Sequence, residues 1–275
     1  MKIMLLNNYR KEHTQIMTEK IVGLLEKQNV KTIIDDGHEP YKPCKEKDID
    51  FIIVLGGDGT FLRAVSQYGK TGVPMLGVNM GTVGFYSNTN VEHIEDSVNK
   101  LLSGQYHLLE KMLLQAEVIR ANELIHTLHG INEVVIKSKT GKMSSLSFSA
   151  GGNKIGRIRG DGVIIATAAG STAYNYSAGG PIVDTDLSVF IVTWLAPYYP
   201  HYCPLVIEAG KVLEFEIERG GENILCSDGR LLIELKEHDL LVVRKAEADL
   251  KLIGFNRNSS FWSGVYSRLG RNPPV

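Results

Sequence analysis

Phe51-Ile-Ile-Val-Leu55-Gly-Gly-Asp-Gly-Thr60-Phe61 decides how the chain is read. Five apolar residues in an unbroken run are the pattern of a strand buried on both faces, and at Gly56 the run gives way to a glycine-rich turn. The pattern predicts a helix starting near Thr60. Glycines let a ligand approach the main chain closely, and the N–H groups of such a turn and of the new helix meet an anion, so Gly56, Gly57 and Thr60 read as a phosphate loop. Asp58 sets this loop apart. A carboxylate beside phosphates is unfavourable unless it takes a proton or helps to hold a metal. The Lys-Ser or Lys-Thr of a P-loop is absent. Taken alone, the stretch reads equally well as a solvated strand-to-helix turn with Asp58 as its cap.

Working outward, strands are predicted at Lys2–Asn7, Lys31–Ile34 and Pro74–Val78, with a helix at Glu12–Gln28 that places Ile16, Ile21, Leu24 and Leu25 on one face. His38–Lys47, rich in charge and holding two prolines, is read as a loop. A second glycine turn follows Val78, Asn79-Met-Gly-Thr-Val-Gly-Phe85. Asn90 then caps a helix carrying Val91, Ile94, Val98, Leu101 and Leu102 that Gly104 closes. This βαβ rhythm predicts an α/β domain over 1–104 with a mainly parallel sheet and ligands at the carboxyl ends of its strands. From 105 to 248 the chain breaks into short apolar runs separated by turn residues, the texture of antiparallel β architecture. Leu250–Gly254 reads as a strand, and Phe261, Val265 and Leu269 line one face of a closing helix. The segment 249–275 is expected to return to the first domain.

At 275 residues the chain suits two domains sharing one site. A formal net charge of -1, with both signs mixed throughout, argues against nucleic acid and against a membrane surface as partners, and favours small polar ligands. Cys44, Cys203 and Cys226 are far apart and outside any metal-binding spacing, which reads as reduced thiols in a cytoplasmic protein. No apolar stretch approaches the length of a spanning helix. None of the eight histidines pairs at metal-ligand spacing. His126 and His129, three apart in a strand, fall on opposite faces. No protein metal ligands are assigned.

Three groups outside the GGDG turn could carry chemistry. Asn132-Glu133 offers the donors and acceptors that a ribose diol and an adenine edge need, although a polar strand end is the plainer reading of the pair. Asp161, before the buried run Val163–Ala166, can hold an amide or a ribose. Ala169–Pro181 crowds hydroxyls and glycines beyond what a capped helix needs, and Ser171 to Ser177 can present hydroxyls and N–H groups to a nucleotide. The aromatic cluster Trp194, Tyr198, Tyr199 and Tyr202 reads as core or interface packing rather than a pocket.

Leu55-Gly-Gly-Asp-Gly-Thr60, Asn79-x-Gly-x-x-Gly-Phe85, Asn132-Glu133, Gly160-Asp-Gly162, Gly170-Ser-Thr-Ala-Tyr174 and Ser177-Ala-Gly-Gly-Pro181 follow in an order and spacing that resembles the NAD kinase family. The likeness extends over Ser227-Asp-Gly229 and the closing Phe261–Leu269 segment. It implies a β-sandwich-like C-terminal domain, a homo-oligomer, often a tetramer, and phosphoryl transfer from ATP, with a divalent metal such as Mg²⁺, to the adenosine 2′-hydroxyl of NAD. By the same resemblance Asp58 is the general base and Gly59 its backbone partner, while Asn132 and Glu133 meet the adenosine and ribose. Asp161 meets the nicotinamide end beside Arg159. Thr172, Ala173, Tyr174, Asn175, Tyr176 and Ser177 wall the NAD, and Ala196 adds a backbone-lining position. Two further readings stand beside it, a GGDG-type kinase acting on a lipid or sphingoid base and an inactive dinucleotide-binding regulator. The chain departs from the family at Thr167-Ala168-Ala169, where Thr-Pro-Thr or Thr-Pro-Ser is usual, at Asp184-Thr185, and at Trp194, where a proline is common.

Overall fold

The computed structural model describes residues 1–8, 11–35, 37, 48–81, 84–199, 202–219, 222–256, 262 and 265. The chain divides into two compact units, Met1–Glu110 with Asp249–Val275, and Lys111–Ala248.

The first unit runs β1 (Lys2–Leu6), α1 (Glu12–Glu26), β2 (Lys31–Asp35), β3 (Phe51–Gly56), α2 (Asp58–Tyr68), β4 (Met75–Asn79), β5 (Thr89–Asn90), α3 (Ile94–Leu102) and β6 (His107–Lys111). β19 (Leu250–Gly254), from far along the chain, completes its sheet in the order β2-β1-β3-β4-β19-β6, with β5 on β4. β1, β2, β3, β4 and β19 pair in parallel. A parallel sheet needs cover on both faces, which explains why β3 is apolar throughout. Phe51, Ile53 and Leu55 share one core with Ile3, Leu5, Leu76, Val78 and the inward residues of α1 and α3. Met4, Leu6, Ile52 and Val54, on the opposite face, are buried too. Each such side chain contributes about 1.5–3 kcal/mol.

The mainly parallel α/β sheet and the antiparallel β architecture beyond it are as the sequence predicts. Several local details differ. α2 begins at Asp58, not near Thr60, because the extended Gly57 serves as its N-cap and Asp58 takes the first helical position, where an acid suits the helix dipole. In α1, Ile16 is exposed, while Thr14 and Thr18 are buried with Met17, Ile21 and Leu25. Thr14 and Thr18 tolerate this because their hydroxyls donate to the Lys11 and Thr14 carbonyls. Asn90 does cap: its side-chain oxygen accepts from the His93 N–H at 3.1 Å. Val265 is helical and buried. The expected loop His38–Lys47 with Cys44, the turn residues Thr82 and Val83, and Phe261 and Leu269 lie outside the described residues.

Among the described residues the second unit holds twelve strands, β7 (Leu114–Arg120), β8 (Glu123–Gly130), β9 (Glu133–Ser138), β10 (Ser144–Ala150), β11 (Asn153–Gly160), β12 (Gly162–Thr167), β13 (Val189–Leu195), β14 (Leu205–Glu208), β15 (Leu213–Arg219), β16 (Asn223–Ser227), β17 (Arg230–Leu235) and β18 (Leu240–Lys245). They form two six-stranded sheets, β11-β10-β15-β18-β7-β8 and β14-β13-β12-β9-β16-β17. The inward residues of the two interlock around Phe148, Phe190, Trp194 and Phe215 in one core, so this unit is a β-sandwich. Strands β7 and β10 alternate buried and part-buried residues, as one-sided strands do. β12 is buried throughout. Its second face, with Ile164 and Ala166, packs under Ala168 and Val183 of the following glycine-rich segment, giving that loop a floor.

Candidate active site

In the first unit the buried β3 delivers its chain to the surface at Gly56. Gly57 and Gly59 are exposed, and a Cβ at either would meet nothing within 4 Å, so space lies open above the first turn of α2. Asp58 does not point freely into that space. Its Oδ2 accepts the Phe85 N–H at 3.1 Å and its Oδ1 the Tyr86 N–H at 3.4 Å. These donors belong to the second glycine turn, whose Tyr86 ring stacks on Phe61 of α2 with centroids 5.2 Å apart. Gly84 is required at this junction, since a Cβ there would stand 2.1 Å from Asp58 Oδ1. The two glycine turns are thus joined through one carboxylate.

In the second unit Asn132 and Glu133 are both buried where β9 begins. Asp228 accepts the N–H groups of Ile131, Asn132 and Glu133 at 3.0, 2.9 and 3.0 Å. From the other side the Thr167 hydroxyl donates to the Ile131 carbonyl and accepts the Gly170 N–H at 3.1 Å. Gly170 lies so close that its Cβ would fall 2.1 Å from the Asn132 carbonyl oxygen. Burial pushes the Glu133 carboxyl up to about 8; the Asp228 carboxylate adds to the rise, and the Tyr174 N–H opposes it. Its Oε2 is buried without a hydrogen-bond partner. A neutral Glu133 at pH 7 can donate as well as accept.

The hydroxyl-rich stretch forms a 3-10 turn, Ala169–Thr172, and the short helix α4 (Tyr174–Ser177). Tyr174, Tyr176 and Ser177 are exposed, and Thr172 and Ala173 are half-buried. Asn175 is wholly buried. Its amide donates to the Ser171 and Pro181 carbonyls at 2.9 and 3.0 Å and accepts the Thr193 hydroxyl at 2.7 Å. Asn175 therefore shapes the loop from within while its neighbours face outward.

Arg159, Asp161 and Ala196 gather elsewhere. The Asp161 N–H donates to the Leu195 carbonyl and the Tyr198 N–H to the Arg159 carbonyl, both at 2.8 Å. The Arg159 guanidinium lies 5.4 Å from the Tyr198 ring centroid. Ala196 is exposed in a left-handed conformation, φ 42°. This group adjoins Gly162 at the start of β12, whereas Asn132, Glu133 and Thr172–Ser177 adjoin Thr167 at its end. Strand rise separates the two ends by about 17 Å. One unit does not bring the two groups together.

Asp228 falls within the family likeness, but the sequence gives it no role. Ser227-Asp-Gly229 looks like any polar turn between two apolar runs, and the residues it holds lie 95 to 97 positions away.

The chain thus joins an α/β unit with a carboxylate at a glycine-rich helix start to a sandwich with a hydroxyl-rich loop. Residues 2–106 match the ATP-NAD kinase N-terminal domain and residues 131–255 the ATP-NAD kinase C-terminal domain. The NAD kinase of Symbiobacterium thermophilum is 36% identical over 208 residues, 75% of this chain and 74% of that protein. That of Prosthecochloris aestuarii is 32% identical, with 98% of this chain and 96% of that protein covered. The chain belongs to the NAD kinase family. Yeast NADH kinase complexed with NADH has the same fold, with a TM-score of 0.88 at 22% identity, covering 100% of this chain and 88% of that one. So does an NAD kinase from Archaeoglobus fulgidus in complex with ATP, at TM-score 0.77 and 24% identity, covering 99% and 100%.

Proposed function

We propose that this chain transfers the γ-phosphoryl group of ATP to the adenosine 2′-hydroxyl of NAD, giving NADP and ADP. The observation that carries the reading is the Asp58 carboxylate, fixed by the Phe85 and Tyr86 N–H groups beside the open first turn of α2 in a member of this family. A hydroxyl is a poor nucleophile at neutral pH, and Asp58 takes its proton as the 2′-oxygen attacks the γ-phosphorus. The bond from that phosphorus to the β–γ bridging oxygen breaks, and ADP leaves with the electron pair. Gly56, Gly57 and Thr60 belong to the phosphate loop, and Gly59 supports Asp58 through its backbone.

In this reading residues 1–104 handle phosphate and residues 105–248 bind NAD. Asn132 and Glu133 take the adenosine and its ribose, with Thr172, Ala173, Tyr174, Tyr176 and Ser177 as the wall and Asn175 holding that wall in shape. Arg159, Asp161 and Ala196 take the nicotinamide end. We read the chain as a homo-oligomer, as the family resemblance implies. The exposed side chains of Ile155, Tyr198, Tyr199, Tyr202 and Val206 support it further. The unpaired Cys203 and Cys226 agree with a cytoplasmic location.

Among the described residues no three His, Cys, Asp or Glu side chains gather as a metal site. Mg²⁺ usually keeps several waters and binds largely through substrate phosphates, so the ATP phosphates would hold it and Asp58 would stay free to act as the base. When bound, the ion neutralises charge on the transferring phosphoryl group. No helix among the described residues is long and apolar enough to cross a membrane.

The test is NADP formation by the purified chain, read with an NADP-specific dehydrogenase, with NAD against NADH and ATP against other donors. Turnover of NAD with ATP is expected. A chain that binds NAD and forms no NADP under any donor would refute the reading and favour a regulator.

A further inference from the structure

We propose that Asp228 is a positioning residue for the acceptor side of the site, its buried carboxylate fixing the Asn132–Glu133 backbone so that Glu133 stands with one oxygen unpaired beside the Gly170–Ser177 wall. This rests on the proposed function, in which that wall takes the adenosine of NAD. Asp228 is 7% exposed and lies in a left-handed turn, φ 48°. Its two oxygens accept three consecutive N–H groups, and its own N–H donates to the Glu133 carbonyl at 2.9 Å. Four hydrogen bonds thus clamp Ile131–Glu133, and Ser227 ties down the neighbouring end of β8 by donating to the His129 carbonyl at 3.2 Å. That is far more than a turn needs to close. The clamp leaves the carboxyl of Glu133 buried with Oε2 unsatisfied, and a buried polar atom without a partner is a place for a ligand atom.

The two carboxyls also share a protonation problem. Burial raises both, and each would repel the other if both ionised. Three backbone donors and the nearby Arg230 oppose the rise at Asp228, whereas only the Tyr174 N–H opposes it at Glu133. Glu133 therefore keeps its proton at neutral pH, with the Asp228 carboxylate among the causes. Lys137, further along β9, acts on Cys226. With its proton, Glu133 donates to a ribose or purine acceptor. As pH rises through about 8 it loses that proton, and a second negative charge appears beside Asp228.

The experiment uses the full chain, as wild type, Asp228→Asn and Glu133→Gln. In wild type the KM for NAD is expected to rise at least tenfold above pH 8 while the KM for ATP moves less than threefold. Glu133→Gln abolishes that limb. Asp228→Asn raises the KM for NAD about tenfold at pH 7 and moves the limb to lower pH, because the charge that lifts Glu133 is gone. A purely structural loss would not displace the limb. A second readout needs no turnover: the Glu133 carboxyl, followed by carbon-13 NMR in the glutamate-labelled ligand-free chain, titrates near 8 in wild type and lower in Asp228→Asn. Amide exchange at Ile131–Glu133 accelerates at least tenfold in that variant. If Asp228→Asn fails to fold, the wild-type titration and the Glu133→Gln profile decide. A wild-type Glu133 that titrates in the ordinary carboxylate range, a limb that survives Glu133→Gln, or an Asp228→Asn chain with unchanged titration and exchange would each overturn the proposal. A wild-type chain that shows the NMR behaviour but makes no NADP would refute the function and leave the positioning role supported.

Discussion

Asp58→Asn tests the centre of the chemistry, and the structure sets two magnitudes against each other. Removing a general base costs about 10²- to 10⁴-fold in turnover, or about 2.7–5.4 kcal/mol of barrier. The amide has a second effect, because the carboxylate uses both oxygens to receive the Phe85 and Tyr86 N–H groups. Asparagine keeps one acceptor and turns an NH2 group towards the other donor. A donor left unsatisfied costs about 1–3 kcal/mol when buried. Phe85 is exposed and its N–H can find water, so the stability loss belongs near the lower end, a fall of roughly 2–4 °C in Tm. The kinetic loss is the larger. We expect kcat for NADP formation to drop at least 100-fold while calorimetry finds NAD affinity within a few-fold of wild type. Turnover within a factor of about three, which corresponds to about 0.6 kcal/mol, would refute Asp58 as the base. A 100-fold loss accompanied by an unfolded first unit would instead assign the carboxylate to the junction of the turns.

Gly84→Ala keeps the carboxylate but drives a Cβ to 2.1 Å from its Oδ1; Asp58 must move by about 1 Å, and kcat should fall on the order of 10²-fold, whereas unchanged turnover would show that the second turn does not position it. Asn175→Ala strips three hydrogen bonds from a wholly buried site and should destabilise the chain by about 2–4 kcal/mol in urea titrations; a loss below about 1 kcal/mol would mean that the loop holds its shape without it. Burial pushes Asp239 up, but the two bonds of 2.7 Å from Arg120 and the Lys236 N–H outweigh it and hold the carboxyl below its usual range. A depressed folded value means stability present above the unfolded pKa of about 3.9 and lost as pH falls through the folded one. Arg120→Met should therefore cost about 2–4 kcal/mol at pH 7, the lower side of what breaking a buried pair costs because Arg120 is 31% exposed. The gap from wild type should narrow below pH 4; a gap independent of pH would refute the ionic account.

Periodicity read the architecture well where burial and polarity coincide. Phe51–Leu55 announced a doubly covered strand because nothing polar interrupts it, and Leu250–Gly254, read as a strand, joins the same sheet as β19. It misread α1, where Thr14 and Thr18 occupy the buried face by returning their hydroxyls to the helix backbone while Ile16 is turned out. β6 passed unnoticed because His107–Lys111 mixes charge with leucine and is only partly covered. In the site, side chains next to glycines stood out, since glycine marks close approach. The inward turn of Asn175 and the clamp from Asp228 did not, because both depend on partners that only the folded chain supplies.

The placement of β19 constrains the order of assembly during synthesis. β4 lies between β3 and β19, and β6 beyond β19, so residues 250–254 fill a slot whose two sides were made more than 100 residues earlier. Until the ribosome has released that segment, β4 carries an open edge beside Met75, and β6 has no neighbour in its sheet. The strands of Lys111–Ala248, by contrast, are contiguous in the chain and complete before it. The usual N-terminal-first order of folding is inverted here for the finished sheet. A chain ending at residue 248 would hold a whole sandwich and an unfinished α/β sheet, and that exposed edge is where a chaperone or a second chain would find a strand to pair with.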